Sequence, residues 1–301
     1  MVTKIRFLSF SVLVLIIAYA AWSYNNANDG FTLGGIFSER SLVSDRAHAL
    51  SEDEERLVAS IFDQDFTYLG RGGQFYAFVS QDGKHVLKFF RYKRFRHEPW
   101  LDYFDFIPMI DDYRLSRIKQ KRQKLEKVVN SCLVAFDHLK ESAGLELIHL
   151  AKTTNLKKAV KIIDKRGDHH FVNLDEMEFI VQKKAQLLGA NIDDLMKNEN
   201  FIGAKALLSN TVQMIYSESL HGVIDKDPAF MQNTGVLDGR PIHIDIGQIV
   251  FDAEVMDLSR SKQEVINKTL KLNRWLQSKY PELSQHLEEE VELVGKVRGE
   301  G

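Results

Sequence analysis

The chain has 301 residues, 44% of them hydrophobic and 27% charged, with a formal net charge of −2 at pH 7. That composition gives an ordinary globular core and excludes a globally basic nucleic-acid binder, though not a local basic patch. One cysteine, Cys132, excludes an intramolecular disulfide framework and a cysteine-based zinc site.

Residues 7–24 are an uncharged run rich in Leu, Ile, Val and Phe, preceded by Lys4 and Arg6. As a helix the run would measure about 27 Å, enough to cross a hydrocarbon core. Trp22 and Tyr24 fall where an interfacial aromatic belt would lie. The expectation is therefore a single-pass anchor over 1–24, with a signal peptide cleaved after Ala18-Tyr19-Ala20 as the competing reading. Only Arg40 carries positive charge in the next 18 residues, so the positive-inside rule keeps the N-terminus in the cytoplasm and exports the rest. That orientation conflicts with an ATP-dependent role in a bacterial periplasm.

Residues 25–47 lack an apolar period and predict a flexible tether. At 51–54 a Ser three residues before a Glu forms a capping box, opening a helix that runs to about Phe62. Alternation over 66–90, broken by turns at 70–73 and 81–83, predicts three antiparallel strands. Helical periodicity occupies about 111–140, followed by short strand-like runs at 145–150, 160–163, 171–174 and 179–182. Helices then dominate, at about 184–188, 202–220 and 260–294 with a break at Pro281. The domain over 48–301 thus reads as two-lobed and α+β, with a first lobe of about 63–182 and a second of about 183–301.

Two fragments carry candidate chemistry. Gly70, Gly72 and Gly73 sit in the first turn, where backbone N–H groups can approach phosphate oxygens. Lys88 follows in the apolar strand Val86-Leu-Lys-Phe-Phe90 and calls for a partner or ligand if it points inward. Downstream, Asp227-Pro-Ala-Phe-Met-Gln-Asn233 supplies a carboxylate suited to accepting a proton and an amide suited to a metal. Asp245, between Ile244 and Ile246 and before Gly247, fits a metal ligand better than a core residue.

In this order the fragments resemble the protein-kinase-like superfamily. The resemblance implies a bilobal fold, a small antiparallel sheet with a helix and then a reduced helical lobe, behind the N-terminal transmembrane helix. It also implies Mg²⁺-ATP as cofactor. Lys88 would hold the phosphates, Ala77 would pack on adenine, Asp227 would be the catalytic carboxylate, and Asn233 and Asp245 would bind metal. A helix carboxylate should pair with Lys88, and Glu126 is the choice over Asp137 and Glu141. The departures are specific. Phe75 replaces the third loop glycine, and Gly222-Val-Ile-Asp-Lys-Asp227 replaces His-Arg-Asp. The step from Asp227 to Asn233 is six residues where the family has five, which makes Gln232 an alternative ligand and Asp225 a second candidate base. Only 54 residues follow Gly247 (301 − 247), too few for a full protein-kinase lobe.

The expected function is a membrane-anchored divergent phosphotransferase acting on a small molecule, lipid or protein; the alternative is a pseudokinase serving as a tethered binding or scaffold module for a protein partner. A basic and aromatic run, Arg91 to His97, suggests contact with anionic lipid rather than nucleic acid. His169 and His170, without a third ligand at metal spacing, read as structural.

Overall fold

The alternation over residues 66–90 does form three antiparallel strands in the computed structural model, which describes residues 2–38 and 52–296, the side chains of 2–12, 18, 21 and 52–54 excepted. In chain order the elements are α1 (Val2–Ala27), α2 (Glu52–Ile61), β1 (Phe66–Arg71), β2 (Phe75–Ser80), β3 (His85–Phe90), α3 (Tyr92–Phe95) and α4 (Pro108–His138). Then come β4 (Leu145–His149), β5 (Ala159–Ile163), β6 (His169–Asn173), β7 (Phe179–Lys183), β8 (Gln186–Leu187), α5 (Leu188–Lys197) and α6 (Phe201–Leu220). The chain closes with β9 (Val223–Asp225), α7 (Phe230–Asn233), β10 (Thr234–Leu237), β11 (Arg240–His243), β12 (Ile249–Phe251), α8 (Leu258–Lys279) and α9 (Pro281–Leu293). The fold class is mixed α+β, as expected.

The chain divides into two compact units, and neither is continuous: residues 1–94 with 149–179, and 95–148 with 180–301. A single boundary near 182 was expected. The difference arises because the C-terminal part of α4 packs on β12, and Ser131 donates to the Ile246 carbonyl at 2.5 Å.

In the first unit the strand order is β3-β2-β1-β5-β6, with β1 and β5 parallel and the other neighbours antiparallel. The period of two separates its faces. One face carries Phe66, Tyr76, Phe78, Leu87 and Phe89, all buried. Phe62, the residue after α2, packs beside it, with ring centroids 5.7 Å from Phe66 and 5.5 Å from Phe179.

The first part of the expected tether is packed on this same face. Phe31 is 1% exposed and meets Tyr76 and Phe78 edge-on, at 5.2 and 5.4 Å. Burying such a side chain contributes about 1.5–3 kcal/mol. Polar groups fix the segment as well. Asn28 donates to Asp164 at 2.9 Å, Tyr68 to Asp29 at 3.1 Å, and Tyr76 to the Gly30 carbonyl at 2.8 Å. Gly30 adopts φ +73°, a left-handed turn that suits glycine. Residues 39–47 and the capping Ser51 lie outside the described residues.

Helix α1 forms where the apolar run predicted one, but the expected transmembrane helix is not found: among the described residues no helix is long and apolar enough to cross a membrane. Its side chains from Leu13 to Ile17, with Tyr19, Trp22 and Tyr24, are exposed.

The second unit is built on α5, α6, α8 and α9, whose apolar stripes meet through Ile192, Leu208, Val212, Leu272, Leu276 and Leu283. Pro281 opens α9, as its missing N–H and fixed φ favour at a first helical position. A sheet of order β11-β10-β8 and the ladder β9–β12 lie within this unit. The helix expected at 184–188 does not form: 184–185 are irregular, and Gln186 and Leu187 make β8 by pairing with Val236 and Gly235 before α5 begins at Leu188.

Candidate active site

The candidate residues fall into two sets, one in each unit. In the first unit, β-sheet register lines them up. Gly70 pairs with Ala77, and Ala77 with Lys88, so the three form one row across β1, β2 and β3. Their face is opposite to the one that buries Phe31. A β-bulge between Tyr68 and Gly70 shifts the register there and brings Gly70 into the row.

A Cβ built on Gly70 would meet no atom within 4 Å, and neither Gly70, Gly72 nor Gly73 has a positive φ. Neither crowding nor backbone conformation demands glycine at position 70. The turn is held by its carbonyls: Arg91 donates to the Gly72 oxygen at 2.5 Å and Arg94 to the Gly73 oxygen at 2.8 Å. Two residues of the basic run 91–97 therefore brace the glycine turn. His170 accepts its structural role, bonded to Asp164 at 3.0 Å and edge-on to Phe31.

In the second unit, three candidate carboxylates each accept from the backbone N–H two residues ahead. Asp225 accepts from Asp227 N at 2.8 Å, Asp227 from Ala229 N at 2.8 Å, and Asp245 from Gly247 N at 3.0 Å. Such side-chain turns fix loop conformation and aim the remaining carboxylate oxygen. The second oxygen of Asp227 accepts from Gln248 Nε2 at 2.6 Å, which ties it to the chain just past Asp245. Two helix α8 lysines clamp the loop backbone: Lys268 donates to the Asp227 carbonyl at 2.7 Å and Lys271 to the Pro228 carbonyl at 3.0 Å.

Asp225 differs from its neighbour. It is 6% exposed, its Oδ2 has no hydrogen-bond partner, and burial raises its pKa although Lys268 opposes the rise. Asp227 is half-buried, and two of the roughly four lone-pair sites of its carboxylate are in use.

Pairing of Thr234 with His243 sets Asn233 beside the strand that leads to Asp245, and Ile244 N donates to the Asn233 carbonyl at 2.8 Å. Asn233 is half-buried, whereas Gln232 is exposed. Beneath them, His243 and Glu218 form a buried pair at 2.8 Å, and Glu218 also accepts from Ser142 at 2.9 Å. Burial alone would lower the His243 pKa, but the Glu218 carboxylate holds it above its ordinary value. Glu126 sits on an exposed stretch of α4 and pairs with Arg122 at 2.9 Å; Asp137 and Glu141 are also exposed.

Sequence reasoning missed Gln248, Lys268, Lys271 and the Glu218–His243 pair. Gln248 stands next to Gly247 and was open to notice. The lysines lie on a helix whose face toward the loop no short motif signals.

Comparison with known proteins adds two solved structures. No protein-family model and no curated protein matches this chain. A 2.2 Å crystal structure of WbdD aligns at TM-score 0.35 with 12% identity over 76% of this chain and 46% of that one. A second, of the bifunctional kinase–methyltransferase WbdD, aligns at 0.36 with 14% identity over 79% and 48%. This chain therefore spans under half the length of either. Likeness at these scores carries no argument about mechanism, which has to be made from the residues themselves.

The donors available suit a hard cation. Among the described residues no group of three or more His, Cys, Asp or Glu stands ready for a metal. The Asp245 carboxylate and the Asn233 amide offer oxygen donors of the kind Mg²⁺ takes when waters and phosphates complete its shell.

Proposed function

We propose that this chain is a divergent kinase-like phosphotransferase that uses Mg²⁺-ATP. The observation that carries the reading is the row Gly70–Ala77–Lys88, set on the sheet face opposite Phe31, Tyr76 and Phe78 and next to the buried Phe75–Phe90 pair. A residue without a side chain, a small one and a cation in sequence suit a planar base and its phosphates. Bound Mg²⁺-ATP would supply the transferable phosphoryl group and a metal to neutralise its charge. For their part, Lys88 would hold phosphate oxygens, and Asn233 and Asp245 would ligate the metal. Asp227, with lone-pair sites to spare, would accept the acceptor's proton. Gln248 and Lys268 would keep the Asp227 loop in position. Catalysis would come from positioning and charge neutralisation.

A second reading has its own support. Both oxygens of Asp227 already accept hydrogen bonds, and Asp225 is largely buried, which favours a pseudokinase that binds nucleotide or a protein partner without turnover. We further propose that α1, with its exposed apolar residues, attaches the chain to a membrane.

The test uses the full chain in detergent: thermal shift with Mg²⁺-ATP, then phosphoryl transfer or ATP hydrolysis. On our reading Mg²⁺-ATP raises the melting temperature, and Lys88→Ala and Asp245→Asn abolish that rise while remaining folded. Activity surviving in Asp245→Asn would sink the catalytic assignment. A nucleotide-dependent shift without turnover would establish the pseudokinase.

A further inference from the structure

Residues 97–127 form an arm in which Leu101 is the one fully buried side chain. None of the first 20 residues of α4, 108–127, is buried; burial on that helix begins at Val128. Instead α4 packs against the short 3₁₀ segment Pro99–Phe104 that precedes it. Polar contacts hold the arm together: His97 is hydrogen-bonded to Asp102 at 2.9 Å, and ion pairs join Arg114 to Asp111 at 2.6 Å and Arg117 to Glu98 at 2.7 Å. Arg117 holds the Glu98 carboxyl down at about 2.

Leu101 apart, polar groups shape the arm and most of its aromatic side chains are left outside. Tyr103 is 77% exposed, Phe106 74% and Met109 79%, with Trp100, Phe104 and Tyr113 also exposed. The rings are contiguous, Trp100–Phe104 and Phe104–Phe106 each at 6.4 Å. Met109 and Tyr113, four residues apart, share a helix face. Directly behind this tip, residues 114–127 hold seven cations and one acid, Glu126.

We infer that this arm docks on an anionic bilayer surface, its aromatic tip at the headgroup–acyl boundary and its basic shaft among the phosphates. Trp, Tyr and Phe beside Lys and Arg are the side chains that interfaces retain. Charge is complementary along the shaft; at the tip Asp102 and Asp111 pair with Arg114 and Glu98 with Arg117, and the other two acids, Asp105 and Asp112, are exposed. A protein partner fits less well, since four of the seven cations are Lys, a residue that protein interfaces deplete. The inference needs neither the nucleotide reading nor the attachment through α1.

The experiment is tryptophan quenching by brominated phospholipid, with full chain on vesicles of phosphatidylcholine with or without phosphatidylglycerol. In a Trp22→Phe chain, Trp100 should be quenched on the anionic vesicles, and a further Trp100→Phe change should remove the quenching. Combined Lys119→Glu, Lys121→Glu and Lys124→Glu should weaken vesicle binding about tenfold or more without changing the melting temperature. A chain that floats with vesicles through Trp22 yet leaves Trp100 unquenched overturns the inference and leaves α1 attachment standing. Quenching of Trp100 with Trp22 unquenched supports the arm and removes α1. Equal quenching on neutral vesicles, or protection of Trp100 by single-stranded RNA in place of vesicles, overturns it.

Discussion

The two units position their candidate residues by different physics. In the first, Gly70, Ala77 and Lys88 stand in a row because strand register puts them there, and register is anchored by the aromatic face beneath. In the second, Asp225, Asp227 and Asp245 sit in loops, each held by its own bond to a backbone N–H. A sheet spreads the cost of placement over many residues, whereas a loop concentrates it in the side chain that also carries the chemistry. Substitutions should therefore act at a distance in the first unit and locally in the second.

The largest effect should come from Phe31→Ala. It opens a void against Tyr76 and Phe78 and should cost about 3–5 kcal/mol in urea unfolding. Hydrogen exchange should rise in β2, although Phe31 belongs to a segment far away in sequence. Unchanged exchange there would mean that the row is held without the N-terminal segment.

Next comes Glu218→Gln, expected to cost about 2–3 kcal/mol because it strips a charged partner from buried His243. The folded His243 pKa is raised, so the pair's contribution is complete below the unfolded value of about 6.5 and fades as pH rises through the folded one. The gap between wild type and variant should be widest below about pH 6.5 and narrow as pH rises through the raised folded value. A gap that widened with pH would refute the pairing.

Asp225→Asn should have the opposite sign. Burial raises this carboxyl, so its contribution is favourable below about 3.9 and is lost as pH rises through the folded value. At neutral pH the amide, which can still accept from Asp227 N, should leave stability equal or higher by about 1 kcal/mol. A clear loss would point to a partner that requires the charge. Asp227→Asn and Asp245→Asn should each shift stability by less than about 1 kcal/mol, since an amide oxygen can close the same turn.

Arg122→Ala should do least. An exposed pair one helical turn apart is worth about 0.5 kcal/mol or less, so it serves as the reference against which the buried changes are judged.

Much of the framework was legible in the chain. The three strands over 66–90, the helix at 201–220 and the helix break at Pro281 follow from period, turns and proline chemistry, which are local. Two elements were not. Residues 184–188 have helical residue types, yet Gln186 and Leu187 pair with β10, a partner some 50 residues away whose approach requires Gly235 to lack a side chain. Residues 28–36 have a polar composition that suggests a tether, but two apolar side chains, Phe31 and Ile36, are fully buried, as is Asn28. Two isolated anchors make no period, so no pattern announces them.

By itself the sequence determined which residue types stand in which order: a glycine turn, a strand lysine, and three carboxylates ahead of a short helical end. Those are properties of neighbours along the chain. Tertiary structure decided that Gly70, Ala77 and Lys88 share a face, that Gln248 and Lys268 hold the Asp227 loop, and that an aromatic arm stays uncovered. Each of these depends on which distant backbone supplies a pairing edge, a donor or a covering surface, and burial and register are settled only when the chain closes on itself.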